Sequence, residues 1–335
     1  MRWIAAMSGP ITGAALLLAS FAAQPAFTKD SSPGAYHVVA RLDARVHSVG
    51  WRLARANAPF CETVVPAVGL LVQDIQSWDD PDGARAAFGV DPATQVVVGA
   101  VAEGSPAQTA GLRAGQPLRN IVDTVLDSDL PPARPGSYER QAGLLDLIDR
   151  SLQDHGWVAV GIDGEGGKGG QLMRVMAQDT CASRFEIVTE NGKAVADGKR
   201  VLISADLALE LADEDQFAFV VAHELAHNIL GHVAMLDAKG RKWGRVRHTE
   251  READRLAVWL MANAGYDTGG AQRFMLGWAR NHDVGFLDPT HDAWDERLAG
   301  VDAEIALVAA SPAQVGGYDW SQRFPLGAKD AKSAR

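Results

Sequence analysis

The chain has 335 residues, of which 47% are hydrophobic and 22% charged, and its formal net charge is −10. That apolar content buries a core and excludes a disordered chain. The negative balance excludes nucleic acid as a partner, because binding it rests on basic surface. At this length one to three domains are expected, and no internal repeat is found.

In chain order, residues 1–26 read as a secretory signal peptide. Arg2 supplies the positive start, Ile11 to Ala23 is a short apolar run, and Ser20-Phe21-Ala22 or Gln24-Pro25-Ala26 offers a cleavage site. The alternative is an uncleaved anchor. No other stretch reaches the roughly 18 apolar residues that a membrane helix needs. An exported, periplasmic chain with no integral membrane span after cleavage is therefore expected. Residues 30–63 hold an amphipathic helix, Tyr36 to Asn57, with Val38, Val39, Leu42, Val46, Val49 and Leu53 on one stripe. The two cysteines, Cys61 and Cys181, are an even count in a chain with an export signal. They form either a bridge across the feet of an insertion or two buried thiols.

Residues 64–178 read as that insertion. Val96 to Val101 is a buried strand, followed by Glu103-Gly104-Ser105-Pro106-Ala107 and Ala110-Gly111-Leu112-Arg113-Ala114-Gly115-Gln116. This resembles the PDZ domains of HtrA-type proteases, with Gln116 in place of the usual Asp. The resemblance implies that Val68, Gly69 and Leu70 form a carboxylate-binding loop and that Leu70 to Asp74 is the strand a peptide pairs with. Tyr138 to Leu152 is then the helix walling the groove, and Trp157 to Gly161 with Gln171 to Ala177 the closing hairpin. PDZ ligand peptides are the implied partners, because such domains add a peptide strand and hold its terminal carboxylate on backbone N–H groups. The alternative is a brace with a closed groove.

Residues 179–324 carry the chemistry. Arg184 to Val188 and Lys199 to Ser204 read as strands of a small sheet, with Val201 to Ser204 the candidate edge for a substrate backbone. Asp213 followed by Gln216 is a helix start, and Phe217 to Ala222 runs apolar into His223-Glu224-Leu225-Ala226-His227. Positions i and i+4 share a helix face, so His223 and His227 both reach one metal ion, with Glu224 beside them. After a polar, basic link from Asp237 to His248, Thr249-x-x-Glu252 opens a second helix that ends at Gly265. Glu250 on that helix is the third ligand candidate, and two nitrogens with one carboxylate oxygen suit zinc. The basic link is either a solvated loop or a mobile gate. Residues 269–281 and 293–309 read as helical, and 325–335 as a flexible tail.

His223, Glu224, His227, Glu250 and Asp254 match the HExxH…ExxxD pattern of the HtpX-like and CAAX-prenyl-protease-like zinc metallopeptidases, a gluzincin family that residues 181–310 resemble. The resemblance implies one Zn2+ per chain on His223, His227 and Glu250, with Glu224 as general base. It also implies that Asp254 orients a ligand histidine, and Asn228 is a further candidate donor there. Thr290-His291 is similar to a segment of the periplasmic BepA-like branch in which the histidine reaches the zinc. His291 is thus a candidate plug or catalytic donor, and Arg297 a second candidate donor. The expected fold class is α+β, a mainly helical zincin-type metallopeptidase core with a small β-sheet and an inserted β-rich PDZ domain. Protein or peptide substrates follow, unfolded or unassembled envelope proteins among them. The other reading is a largely silenced zinc site on a peptide-binding, chaperone-like module.

Overall fold

A computed structural model describes residues 33–126, 128–131, 133–163, 170–188, 192–282, 294–312 and 316–324. The chain opens on α1 (Pro33–Asn57) and continues through β1 (Val64–Ala67), β2 (Leu70–Asp74), α2 (Pro81–Phe88) and β3 (Val96–Val101). Next come α3 (Pro106–Thr109), β4 (Pro117–Ile121), β5 (Thr124–Val125), α4 (Glu139–His155), β6 (Trp157–Asp163) and β7 (Gly170–Met176). β8 (Gln178–Cys181), β9 (Arg184–Val188), β10 (Ala194–Ala196) and β11 (Arg200–Ser204) lead into α5 (Ala205–Glu210) and α6 (Glu214–Ile229). α7 (His232–Lys239), α8 (Trp243–Asn263), α9 (Gly269–His282) and α10 (Trp294–Ala310) follow.

Two apolar clusters divide this chain. One is built on the sheet β2-β3-β4-β6-β7, with β5 on β4, and on α4; Val72, Val98, Ile121, Leu144, Ile148, Val158 and Val160 are its buried centre. The other joins α1, the sheet β10-β11-β9 and the helices from α5 onward, with Val46, Leu53, Ile187, Ile203, Phe217, Val221 and Leu256 inside it. β1 and β8 pair antiparallel, so the chain enters and leaves the first unit side by side. Charged struts tie the two units together. Tyr138 Oη donates to the buried Glu186 Oε2 at 2.8 Å, and Arg184 binds Asp146 at 2.8 Å and Asp149.

Cys61 and Cys181 form a disulfide across a sequence separation of 120. In the chain-entropy account a loop near that length stabilises by roughly 4–5 kcal/mol, by restricting the unfolded chain. Reduction is therefore expected to lower the melting temperature, and denatured but unreduced protein to show no reactive thiol. Two reactive thiols in that titration would contradict the bridge.

Three sequence expectations need correction. Val201 to Ser204 is not an edge: β11 is the middle strand, antiparallel to β10 and parallel to β9, and β10 is the edge beside α6. The second ligand helix does not begin at Thr249. α8 begins at Trp243, and Thr249 lies buried within it with its Oγ1 donating to the Val246 carbonyl at 2.8 Å. The link from Asp237 to His248 is accordingly no long gate, because α7 runs to Lys239 and only residues 240–242 lie between the helices. Among the described residues no single helix is long and apolar enough to cross a membrane.

Candidate metal centre

α6 is held at its start by Asp213, whose side chain accepts from the backbone N–H groups of Asp215 (3.0 Å) and Gln216 (3.2 Å). Every residue from Phe217 to Ala222 is buried, so the helix is locked in rotation and its metal-binding face is fixed. α8 packs alongside, presenting Glu250 and Asp254 one turn apart.

The two helices bring three side chains together. His223 Nε2 lies 3.1 Å from His227 Nε2 and 3.5 Å from Glu250 Oε2, and His227 Nε2 lies 3.6 Å from Glu250 Oε1. One ligand atom from each of the three falls within 4.8 Å of the others. Glu250 Oε1 is buried and makes no hydrogen bond among the described atoms. A buried carboxylate oxygen without a partner is costly unless a cation meets it. Two imidazole nitrogens and a carboxylate oxygen are donors that zinc takes, and three protein ligands is the number in catalytic zinc sites. The residues present therefore fit the metal.

The groups behind the ligands are equally specific. Asp254, 1% exposed, sits 3.0 Å from His223 Nδ1. Arg297 grips Asp254 with two nitrogens, Nε at 2.6 Å and Nη2 at 2.7 Å, and its guanidinium lies 4.7 Å from the Trp294 ring centre. Arg297 thus clamps the carboxylate behind His223, and its Nη2 also lies 3.8 Å from Glu250 Oε2. Behind His227 stands His232, whose Nδ1 lies 3.1 Å from His227 Nδ1.

Electrostatics favour a cation here. Burial opposes a charge on His223, but hydrogen bonds to Asp254 and Glu250 outweigh it and raise its pKa to about 10. Burial also opposes ionisation of Glu250, yet the hydrogen bond and charge of His223 hold its carboxyl well below the usual range. His227 is pushed down to about 3 by burial, with Glu250 pulling the other way, so it stays neutral as a ligand must. Glu224 is 8% exposed, and burial raises it to about 7, with the His223 charge and the Ala196 backbone N–H opposing.

Asn228 faces away from the ligands. Its Oδ1 accepts from Gly198 N at 2.8 Å and its Nδ2 donates to Ser183 Oγ and the Arg200 carbonyl, each at 3.0 Å. It stitches α6 to the sheet instead of orienting a histidine. His291 lies outside the described residues. Val68, Gly69 and Leu70 lie in the other unit and are buried. Gly69 has φ +68°, and a Cβ there would sit 2.3 Å from Ser105 Cβ, so glycine is required for packing as well as conformation.

The sequence left His232 packed or hydrogen-bonded without a named partner and gave Glu252 only as half of a helix cap; the structure buries His232 and sets its Nδ1 against His227 Nδ1. The available signal was Leu230-Gly231: a left-handed glycine, φ 63°, ends α6 and returns the next residue over the last turn.

Residues 192–243 match the model of Peptidase family M48. The matched stretch holds β10, β11 and α5 to α7, hence His223, Glu224, His227 and His232, and ends before Glu250 and Asp254. It supports a metallopeptidase of that family, whose members are zinc-dependent. No curated protein matches the chain.

Proposed function

We propose that this chain is an exported zinc endopeptidase acting on unfolded or unassembled proteins of the cell envelope. The observation that carries the reading is the convergence of His223, His227 and Glu250 beside the buried carboxylate of Glu224. A bound zinc ion supplies Lewis acidity, polarising the scissile carbonyl and acidifying a water molecule. His223, His227 and Glu250 would hold that ion, and Asp254, 3.0 Å from His223 Nδ1, would keep the proton there. Glu224 takes the proton of the attacking water and passes it to the leaving amine. Burial raises its carboxyl above the ordinary range, as suits a group that must accept and then release a proton.

β10 is the element on which a substrate backbone pairs. Lys193 O and Asp197 N bond across to Ser204 N and Arg200 O, so by strand alternation the groups of Ala194 and Ala196 face the other way, and the Ala196 N–H meets Glu224. Export agrees with the disulfide, which an oxidising compartment preserves. Digestion of casein by the purified chain, with and without chelator, tests the reading. Cleavage is expected to stop in chelator; cleavage that persists would overturn it.

The PDZ-like insertion is proposed to bind peptide C-termini only after a rearrangement. Two of the backbone groups on the sheet-edge strand β2 are already occupied. The Gln141 side chain accepts from Asp74 N at 2.6 Å and donates to the Val72 carbonyl at 2.5 Å. Arg140 fastens the same helix to buried Asp74, both bonds at 2.6 Å. Gln141→Ala should therefore tighten binding of a peptide with a free apolar C-terminus, relative to wild type, in a fluorescence anisotropy titration. Replacing two occupied hydrogen bonds by open ones is worth roughly 1–3 kcal/mol, or about 5- to 150-fold. Equal affinity in both proteins would leave the insertion a brace.

A further inference from the structure

His232 is 3% exposed and belongs to no ligand set, yet its Nδ1 faces His227 Nδ1 at 3.1 Å. Two ring nitrogens at that distance bond only if one carries hydrogen and the other a lone pair. His227 turns Nε2 to the ligand cluster, so its proton sits on Nδ1 and needs an acceptor. His227 is 4% exposed, which leaves little room for solvent to serve. His232 must then be the tautomer with a bare Nδ1 and a protonated Nε2. That Nε2 lies 3.5 Å from Glu252 Oε2, which also lies 3.1 Å from Nε2 of the exposed His248.

We propose that His232, oriented by Glu252, is a positioning residue of the metal centre: it accepts the Nδ1–H of His227 and so holds His227 Nε2 toward the metal. The proposal rests on the metallopeptidase reading above. The two ligand histidines are thus backed differently. His223 has a carboxylate directly behind it, Asp254, itself clamped by Arg297. His227 has an imidazole, with the carboxylate of Glu252 one step further out. A second carboxylate directly behind the ligands would crowd Glu224, Glu250 and Asp254 with another buried anion, at a desolvation cost. The fold supplies His232 cheaply, because the left-handed turn at Gly231 starts α7 directly over the last turn of α6.

The test is zinc affinity, measured by competition with a chromogenic chelator on the full chain and needing no substrate. His232→Phe keeps the ring volume and removes the acceptor; affinity is expected to fall about 10- to 100-fold, the usual cost of losing a group behind a metal ligand. His232→Asn restores an acceptor near the Nδ1 position and is expected to recover most of that loss. Glu252→Ala frees the His232 tautomer and should weaken zinc by a smaller factor, with no core atom removed. His232→Phe and Glu252→Ala both binding zinc as wild type does would overturn the proposal and leave the metallopeptidase reading intact. Should His232→Phe fail to fold, Glu252→Ala decides, full affinity overturning the proposal. A wild-type chain that binds no zinc would overturn both.

Discussion

Glu224→Gln is expected to lower casein cleavage by about two to four orders of magnitude, the range typical of a lost general base, with zinc content unchanged. The substitution preserves size, and the amide oxygen still accepts from the Ala196 backbone N–H that neighbours the carboxylate. What disappears is the capacity to take a proton. Glu224 is no ligand in this arrangement, so the metal loses no contact. Burial raises the carboxyl to about 7, against the pull of the His223 charge. A carboxyl so placed exchanges protons near neutral pH, which a glutamine cannot. Rates of wild type and variant, measured on protein of equal zinc content, check the point. Comparable rates would mean that Glu224 is not the base.

Glu250→Ala is expected to strip the metal. Among the candidate ligands Glu250 alone comes from α8, and its Oε1 and Oε2 lie 3.6 and 3.5 Å from the two histidines. Its removal leaves two nitrogens on one helix. It also deprives His223 of one of the two carboxylates that make the site favour a cation. The loss in zinc affinity should exceed the roughly 10- to 100-fold expected when only a backing group goes, as in Asp254→Asn. The graded order wild type, Asp254→Asn, Glu250→Ala, read by elemental analysis after dialysis, separates ligand from support. Stoichiometric zinc in Glu250→Ala would contradict the ligand set.

The grouping of the candidate ligands was largely legible because it rides on helix periodicity. His223 and His227, and Glu250 and Asp254, are each four apart, and four apart on a helix means one face. The apolar run Phe217 to Ala222 announced which helix would be buried. The start of α8 was not legible for a local reason. Thr249-x-x-Glu252 imitates a capping box, and only the tertiary setting shows Thr249 buried mid-helix. The edge strand was missed because β10 is three small residues, Ala194–Ala196, too short for an alternation pattern, while the apolar β11 beside it is paired on both sides. That His232 is packed or hydrogen-bonded was legible; its partner His227 was not, because it lies on a different helix, reached through a left-handed turn. The sealing of β2 by Gln141 hangs on one side-chain amide meeting two backbone groups 67 and 69 residues away, which no periodicity encodes.

The most direct test is a zinc titration of activity. Chelator-stripped chain, freed of chelator, is titrated with zinc while casein cleavage is followed. Cleavage is predicted to be absent at the start, to rise with added zinc, and to level off near one equivalent per chain, the capacity of a single His223–His227–Glu250 site. A rate that is already full in the stripped protein, or that zinc fails to restore in folded protein, would contradict the account.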